Sequence, residues 1–216
     1  MTLTNLLIAI NVVAYLWLIS TGGLSSDRAL FDHGALLGTA CTQSGQWWRI
    51  VTGAFLHGGL VHIGSNMLAL YFVGSSVEQI FGKVRFALLY AVALVGAGLA
   101  VVYAAPNDLT VGASGAIFGL FGALVAVGLR LGKRGRGLIG QVLPVIVFNL
   151  VLTFAIPNIS AAGHIGGLIT GFLAGLVLFM IPSRQRSAAY AYVARPDEPA
   201  PVETIEQPPE LRDPRE

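Results

Sequence analysis

A serine, two histidines and an asparagine interrupt otherwise apolar sequence. Ser114 stands in Gly112-Ala113-Ser114-Gly115, at the head of a hydrophobic segment running to about Leu131. His62 and Asn66 are four residues apart, which puts both side chains on one helical face. His164 follows Ala162-Gly163 and opens another apolar run. Together these groups could perform acyl transfer. A serine needs a general base to become a nucleophile, and His164 is the candidate. A tetrahedral oxyanion needs preorganised donors. The Asn66 amide, an N–H of His62 and the free Ser114 backbone N–H at a helix start are the candidates. The carboxylates ahead of residue 183 are Asp27, Asp32 and Asp108, which belong to loops, and Glu78, at the opposite end of its segment from His62, so none is available for a triad. The arrangement is therefore a Ser-His dyad, a variant of the catalytic triad. Taken alone, Ser114 reads more readily as one more small residue in a helix-packing seam, since such seams are common in membrane helices. The other polar residues decide against that.

These residues sit in a chain built for lipid. It has 216 residues, 55% of them hydrophobic and 11% charged, where a soluble domain carries about 25% charged. Mean hydropathy is +0.73, and there are 27 glycines. The composition predicts an all-α polytopic membrane protein with closely packed helices. A net charge of +2 gives no reason to expect a nucleic-acid partner. Cys41 is the single cysteine, so no intrachain disulfide can form. The histidines near Asn66 have no carboxylate at ligand spacing and no HExxH pattern, so neither a metal nor another cofactor is expected.

Six membrane segments are expected, at 3–20, 60–77, 86–105, 114–131, 138–156 and 162–181, each near the roughly 20 residues a span requires. The first has no Lys or Arg before it and no clear cleavage site after it, so it reads as a helix and not as a signal peptide. The connection 21–55 is too long to be slack. It carries Asp27, Arg28, Asp32 and Trp47-Trp48-Arg49, and tryptophan beside arginine suits a membrane interface. Lys83 and Arg85, then Arg130, Lys133, Arg134 and Arg136, then Arg184 and Arg186 place eight basic residues on one side, against Arg28 and Arg49 on the other. The positive-inside rule puts both termini in the cytoplasm. Residues 1–182 form the membrane domain. The stretch 183–216 holds six prolines and seven acidic residues and reads as a disordered cytoplasmic tail.

With that topology, segments two, four and six run from outside to inside. His62, Asn66, Ser114 and His164 all fall near the start of their segments, in one shallow layer below the outer face. Intramembrane polar groups are costly, so a shared depth asks for a shared purpose. Gly167, Gly171 and Gly175 follow His164 at i+3, i+7 and i+11, and Gly115, Gly119 and Ala123 offer a matching seam in segment four. His57 is given a structural or hydrogen-bonding role, His33 a solvated one, and Glu78 a hydrogen-bonding or ion-pairing role at the cytoplasmic end of segment two.

These motifs resemble the rhomboid intramembrane serine proteases in their basic six-helix form. The likeness rests on Gly112-Ala113-Ser114-Gly115, His62-x-x-x-Asn66, Ala162-Gly163-His164 with its glycine repeat, and Trp48-Arg49 in the first loop. It covers about residues 1–182. The resemblance implies Ser114 as nucleophile, His164 as general base, and His62 and Asn66 in the oxyanion hole. It implies transmembrane-helix substrates cut near the outer face, and a gate formed by segment five and the 157–160 loop. Simplicity of build points to a bacterial plasma membrane. Two other readings compete. A non-catalytic relative that escorts membrane helices would be expected to lack the serine or the histidine. A transporter would be expected to carry polar groups through the whole depth, whereas here they stop at the outer third apart from Gln141 and Asn149.

Overall fold

The structure, a computed structural model, describes residues 1–180. Among them every regular element is helical, and the one β contact is an isolated antiparallel bridge between Leu36 and Thr110. The tail expected from residue 183 lies outside the described residues.

The first helix, α1 (Leu3–Ser20), starts at Thr2, whose hydroxyl accepts from the Asn5 N–H at 3.2 Å. Its first turn is also held by Glu78. That carboxylate accepts from the N–H groups of Leu3 and Thr4, each at 2.8 Å, and from the Thr4 hydroxyl at 2.7 Å. An acid at a helix N-terminus meets both the free N–H groups and the positive dipole end.

The long connection is structured, as its length predicted. It contains α2 (Asp27–Asp32), α3 (Gly38–Ser44) and α4 (Arg49–Gly53). Arg49 ties them together. Its guanidinium is buried, donates to the carbonyls of Phe31 at 2.6 Å and Ala35 at 2.9 Å and to Gln46 Oε1 at 2.6 Å, and lies 3.7 Å from the centre of the Phe31 ring. A buried cation is tolerable only with such a set of acceptors. Trp47 and Trp48 remain exposed beside it. The expectation of a solvated His33 does not hold. The ring is half-buried, with Nδ1 2.7 Å from the Ala29 carbonyl and Nε2 2.9 Å from Thr21 Oγ1. Its edge rests on Trp17, so local hydrogen bonds hold it against the end of α1.

Helix α5 (Leu60–Ala69) passes through a π turn at 70–74 into α6 (Ser75–Ala104). The expected loop between residues 77 and 86 is reduced to Gly82, where φ +75 and ψ 165 interrupt the helix. Val77, Ile80 and Phe81 are buried, so the segment gains by staying helical up to the break. Only glycine adopts that φ without strain.

Helix α7 (Ser114–Arg130) is the centre of the molecule, with thirteen of its seventeen residues buried. Helices α6, α8 (Arg136–Ala155) and α9 (Ala161–Met180) surround it. The α7–α9 contact is the glycine seam read from the sequence. A Cβ added at Gly167 would strike the backbone of Gly115, one at Gly171 the backbone of Gly119, and one at Gly175 would lie 2.8 Å from the Cα of Ala123. Two backbones meet there with no side chain between them.

Four helical stretches are long and apolar enough to cross a membrane: Leu3–Ser20, Leu60–Ala104, Gly132–Ala155 and Ala161–Met180. The apolar helix Ser114–Arg130 is shorter. Large apolar side chains such as Val13, Phe148, Phe154 and Val177 point outward from the bundle. Such a surface suits lipid and not water. The protein is an integral membrane protein of helical build.

Candidate active site

Ser114 is the first residue of α7, preceded by Ala113 and by Gly112 at φ +119. The approach to it is fixed by backbone hydrogen bonds. Thr110 and Leu36 exchange N–H···O bonds at 2.8 and 2.9 Å, and the Gly112 N–H donates to the Gly53 carbonyl at 2.9 Å. Gly112 must be glycine for a second reason. A Cβ there would sit 2.6 Å from His62 Nε2 and 3.7 Å from Asn66 Nδ2. The imidazole and the amide of α5 therefore lie against the backbone two residues before Ser114.

His164 reaches the serine from α9. Its Nε2 is 2.8 Å from Ser114 Oγ. The ring is buried and stacks on Phe118, with centroids 4.2 Å apart and planes 14° apart. Phe118 is one turn along α7 from Ser114, so a single helix supplies both the hydroxyl and the platform for the ring. The other ring nitrogen, Nδ1, is 2.8 Å from Thr153 Oγ1 on α8. The turn before α9 is tied down by Ser160, whose Oγ accepts from the Gly163 N–H at 3.1 Å and whose carbonyl accepts from the His164 N–H at 3.1 Å.

The residues singled out from the sequence thus fall into two layers of contact. Ser114 and His164 are in direct hydrogen-bond contact. His62 and Asn66 line the same spot against Gly112, and Asn66 Nδ2 donates one hydrogen to the His62 carbonyl at 3.1 Å, leaving a second to offer. His57 is fully buried beneath them, edge-on to His62 at 5.0 Å. Burial, with His62 adding to it, pushes its pKa down to about 4, so it stays neutral and supports the cluster by packing. Phe118 and Thr153 were not singled out. The i+4 offset from Ser114 was a signal for Phe118. Nothing local marked Thr153.

A cavity of about 40 Å³ opens beside Ser114, lined by Ile50, Gly53, Val101, Gly112, Ser160 and His164 among others. It has room for a water or a small side chain. Among the described residues no three of His, Cys, Asp and Glu converge as metal ligands would. The geometry is suited to a hydroxyl activated by an imidazole, with the His62 ring and the Asn66 amide close to the backbone before it.

Comparison with known proteins agrees with the family resemblance. A family model described as the Rhomboid domain matches residues 44–181. Rhomboid protease GluP of Bacillus subtilis (strain 168) is 40% identical over 178 residues, covering 82% of this chain and 35% of that protein. RHOMBOID-like protein 4 of Arabidopsis thaliana is 36% identical over 160 residues, covering 73% of this chain and 40% of the relative. RHOMBOID-like protein 2 of the same plant is 35% identical over 161 residues, covering 73% and 50%. The chain spans half or less of the length of each of these relatives. A domain match over more than half of the sequence, and identity at this level across most of it, leave one conclusion: the chain belongs to the rhomboid family.

Proposed function

We propose that this protein is an intramembrane serine endopeptidase that cleaves transmembrane-helix substrates near the outer membrane face through a Ser114–His164 dyad. The observation that carries this reading is the 2.8 Å contact between Ser114 Oγ and His164 Nε2, half-buried within a bundle whose outer surface is apolar. Membership of a family whose named relatives include a rhomboid protease supports it. In the reaction Ser114 Oγ attacks the scissile carbonyl carbon as its proton passes to His164 Nε2. The carbonyl oxygen becomes an oxyanion facing Asn66, His62 and the first N–H groups of α7. Collapse of the intermediate breaks the C–N bond, and the imidazolium gives its proton to the leaving amine. Water then attacks the acyl-serine, His164 takes its proton, and a second tetrahedral intermediate releases the acid and restores the serine.

The chain crosses the membrane six times in this reading. The 45-residue stretch Leu60–Ala104 is more than twice the length of one span, and its break at Gly82 divides it into two crossings. Helix α7, shorter but apolar and buried among its neighbours, crosses too. Both termini lie in the cytoplasm, the site opens outward, and the membrane is a bacterial plasma membrane. Residues 1–182 are the protease domain. The Pro-rich stretch from 183 is a cytoplasmic tail and lies outside the described residues.

The test is covalent. The purified protein in liposomes is treated with a fluorophosphonate and offered a reporter with one transmembrane helix. Ser114 is expected to carry the label, and Ser114→Ala to lose both label and cleavage while keeping the fold, since alanine suits a helix. Labelling that persists on another serine in the variant refutes the assignment.

A further inference from the structure

Helix α8 buries a stripe of residues at helical spacing, Leu138, Val142, Ile146 and then Thr153. Thr153 is the polar end of that stripe and is 4% exposed. Its hydroxyl has two neighbours, the Asn149 carbonyl at 2.7 Å and His164 Nδ1 at 2.8 Å. It holds one hydrogen, so it can donate to only one of them.

Counting protons selects between the two arrangements. If Thr153 donates to His164 Nδ1, a neutral ring carries its proton on Nε2 and points it at Ser114 Oγ. The half-buried serine hydroxyl then has no protein acceptor among the described residues, because its one protein hydrogen-bond partner is that same nitrogen, and it must turn away from the imidazole toward the cavity. If Thr153 donates to the Asn149 carbonyl instead, its oxygen accepts Nδ1–H, Nε2 is a bare lone pair, and the serine O–H donates to it. Every hydrogen then has an acceptor within the protein, a continuous chain that the burial of the Thr153–His164 contact favours. We infer that Thr153 is a positioning residue that holds His164 in the Nδ1–H tautomer, doing with a helix-anchored hydroxyl what a carboxylate does in a triad. This role presupposes the dyad proposed above. It also means that the basicity of Nε2 toward Ser114 depends on where α8 stands. The Phe118 stack fixes the ring plane, while Thr153 fixes which nitrogen is free.

The test compares Thr153→Val, which keeps the shape and removes the hydroxyl, with Thr153→Ser, which keeps the hydroxyl. The full chain is labelled with ¹⁵N-histidine, and the His164 ring signals are assigned with His164→Ala. In the unmodified protein at mildly alkaline pH, Nδ1 is expected to give the protonated-type shift and Nε2 the bare-type shift. Thr153→Val should lose that separation as the tautomers mix. Its fluorophosphonate labelling rate should fall by about 10- to 100-fold, the range for stripping a buried donor of its acceptor. Thr153→Ser should restore both the spectrum and most of the rate. An Nε2–H signal in the unmodified protein overturns the assignment, and so does Thr153→Val labelling at the unmodified rate. A chain that never labels on Ser114 would sink the protease reading alone, because the ring spectrum reports the Thr153 contact without any turnover.

Discussion

Gly167→Ala puts a single methyl group where α7 and α9 touch, one turn from His164 and against the residue after Ser114. The added Cβ would meet the carbonyl carbon of Gly115 at 2.8 Å and its Cα at 3.3 Å, with the carbonyl oxygen closer still. Ordinary contact for a Cβ begins at 3.4 Å. All three obstructing atoms are backbone of a buried helix, so no side chain can swing away. The seam itself must open, and the oxygen contact requires about 1 Å of separation, a displacement that can cost roughly 100-fold in rate when it misplaces a catalytic group. The serine–histidine contact of 2.8 Å has no such slack. Gly167→Ala should therefore lower both reporter cleavage and fluorophosphonate labelling by about 100-fold. Gly140→Ala is the matched control. Nothing lies within 4 Å of its added Cβ, and alanine is the better helix former by about 1 kcal/mol, so activity should be unchanged. Thermal unfolding followed alongside separates a shifted seam from a lost fold. A folded Gly167→Ala protein that cleaves at the unmodified rate would refute the idea that this seam sets the dyad distance.

Two further outcomes are expected. Asn66→Ala should cut the catalytic rate by about 100- to 1000-fold while substrate binding, measured on the Ser114→Ala background, changes little, because the donor acts on charge present only in the transition state; equal losses in both would make Asn66 a substrate contact instead. In a Cys41-free background, cysteines at Asp108 and Asn158 should react with an impermeant thiol reagent from outside and one at Arg134 only after the membrane is opened; the reverse pattern would overturn the orientation.

Much of this protein was legible before any coordinates, because lipid makes polar residues conspicuous. Ser114, His164, His62 and Asn66 stood out because each costs free energy in an apolar segment. The i, i+4 pairing of His62 with Asn66 and the glycine period after His164 are local properties of a helix, readable from spacing alone. The helical class and the seam partners Gly115, Gly119 and Ala123 followed the same way. What spacing could not tell was which helix packs beside which side chain. The segment boundary around Gly82 was misjudged because the buried Ile80 and Phe81 keep the helix going to the last residue before the break. His33 escaped because its partners, Ala29 and Thr21, matter only once the long connection folds back on α1. Thr153 is the clearest case. A threonine in an apolar helix can satisfy its own hydroxyl on the carbonyl four residues back, as this one does on Asn149, so it raises no local alarm. Only the approach of α9, set by two glycine backbones meeting α7, gives that hydroxyl a histidine to orient. The sequence by itself determined which groups could do chemistry. The tertiary packing decided their distances, and with them which nitrogen of His164 faces the serine.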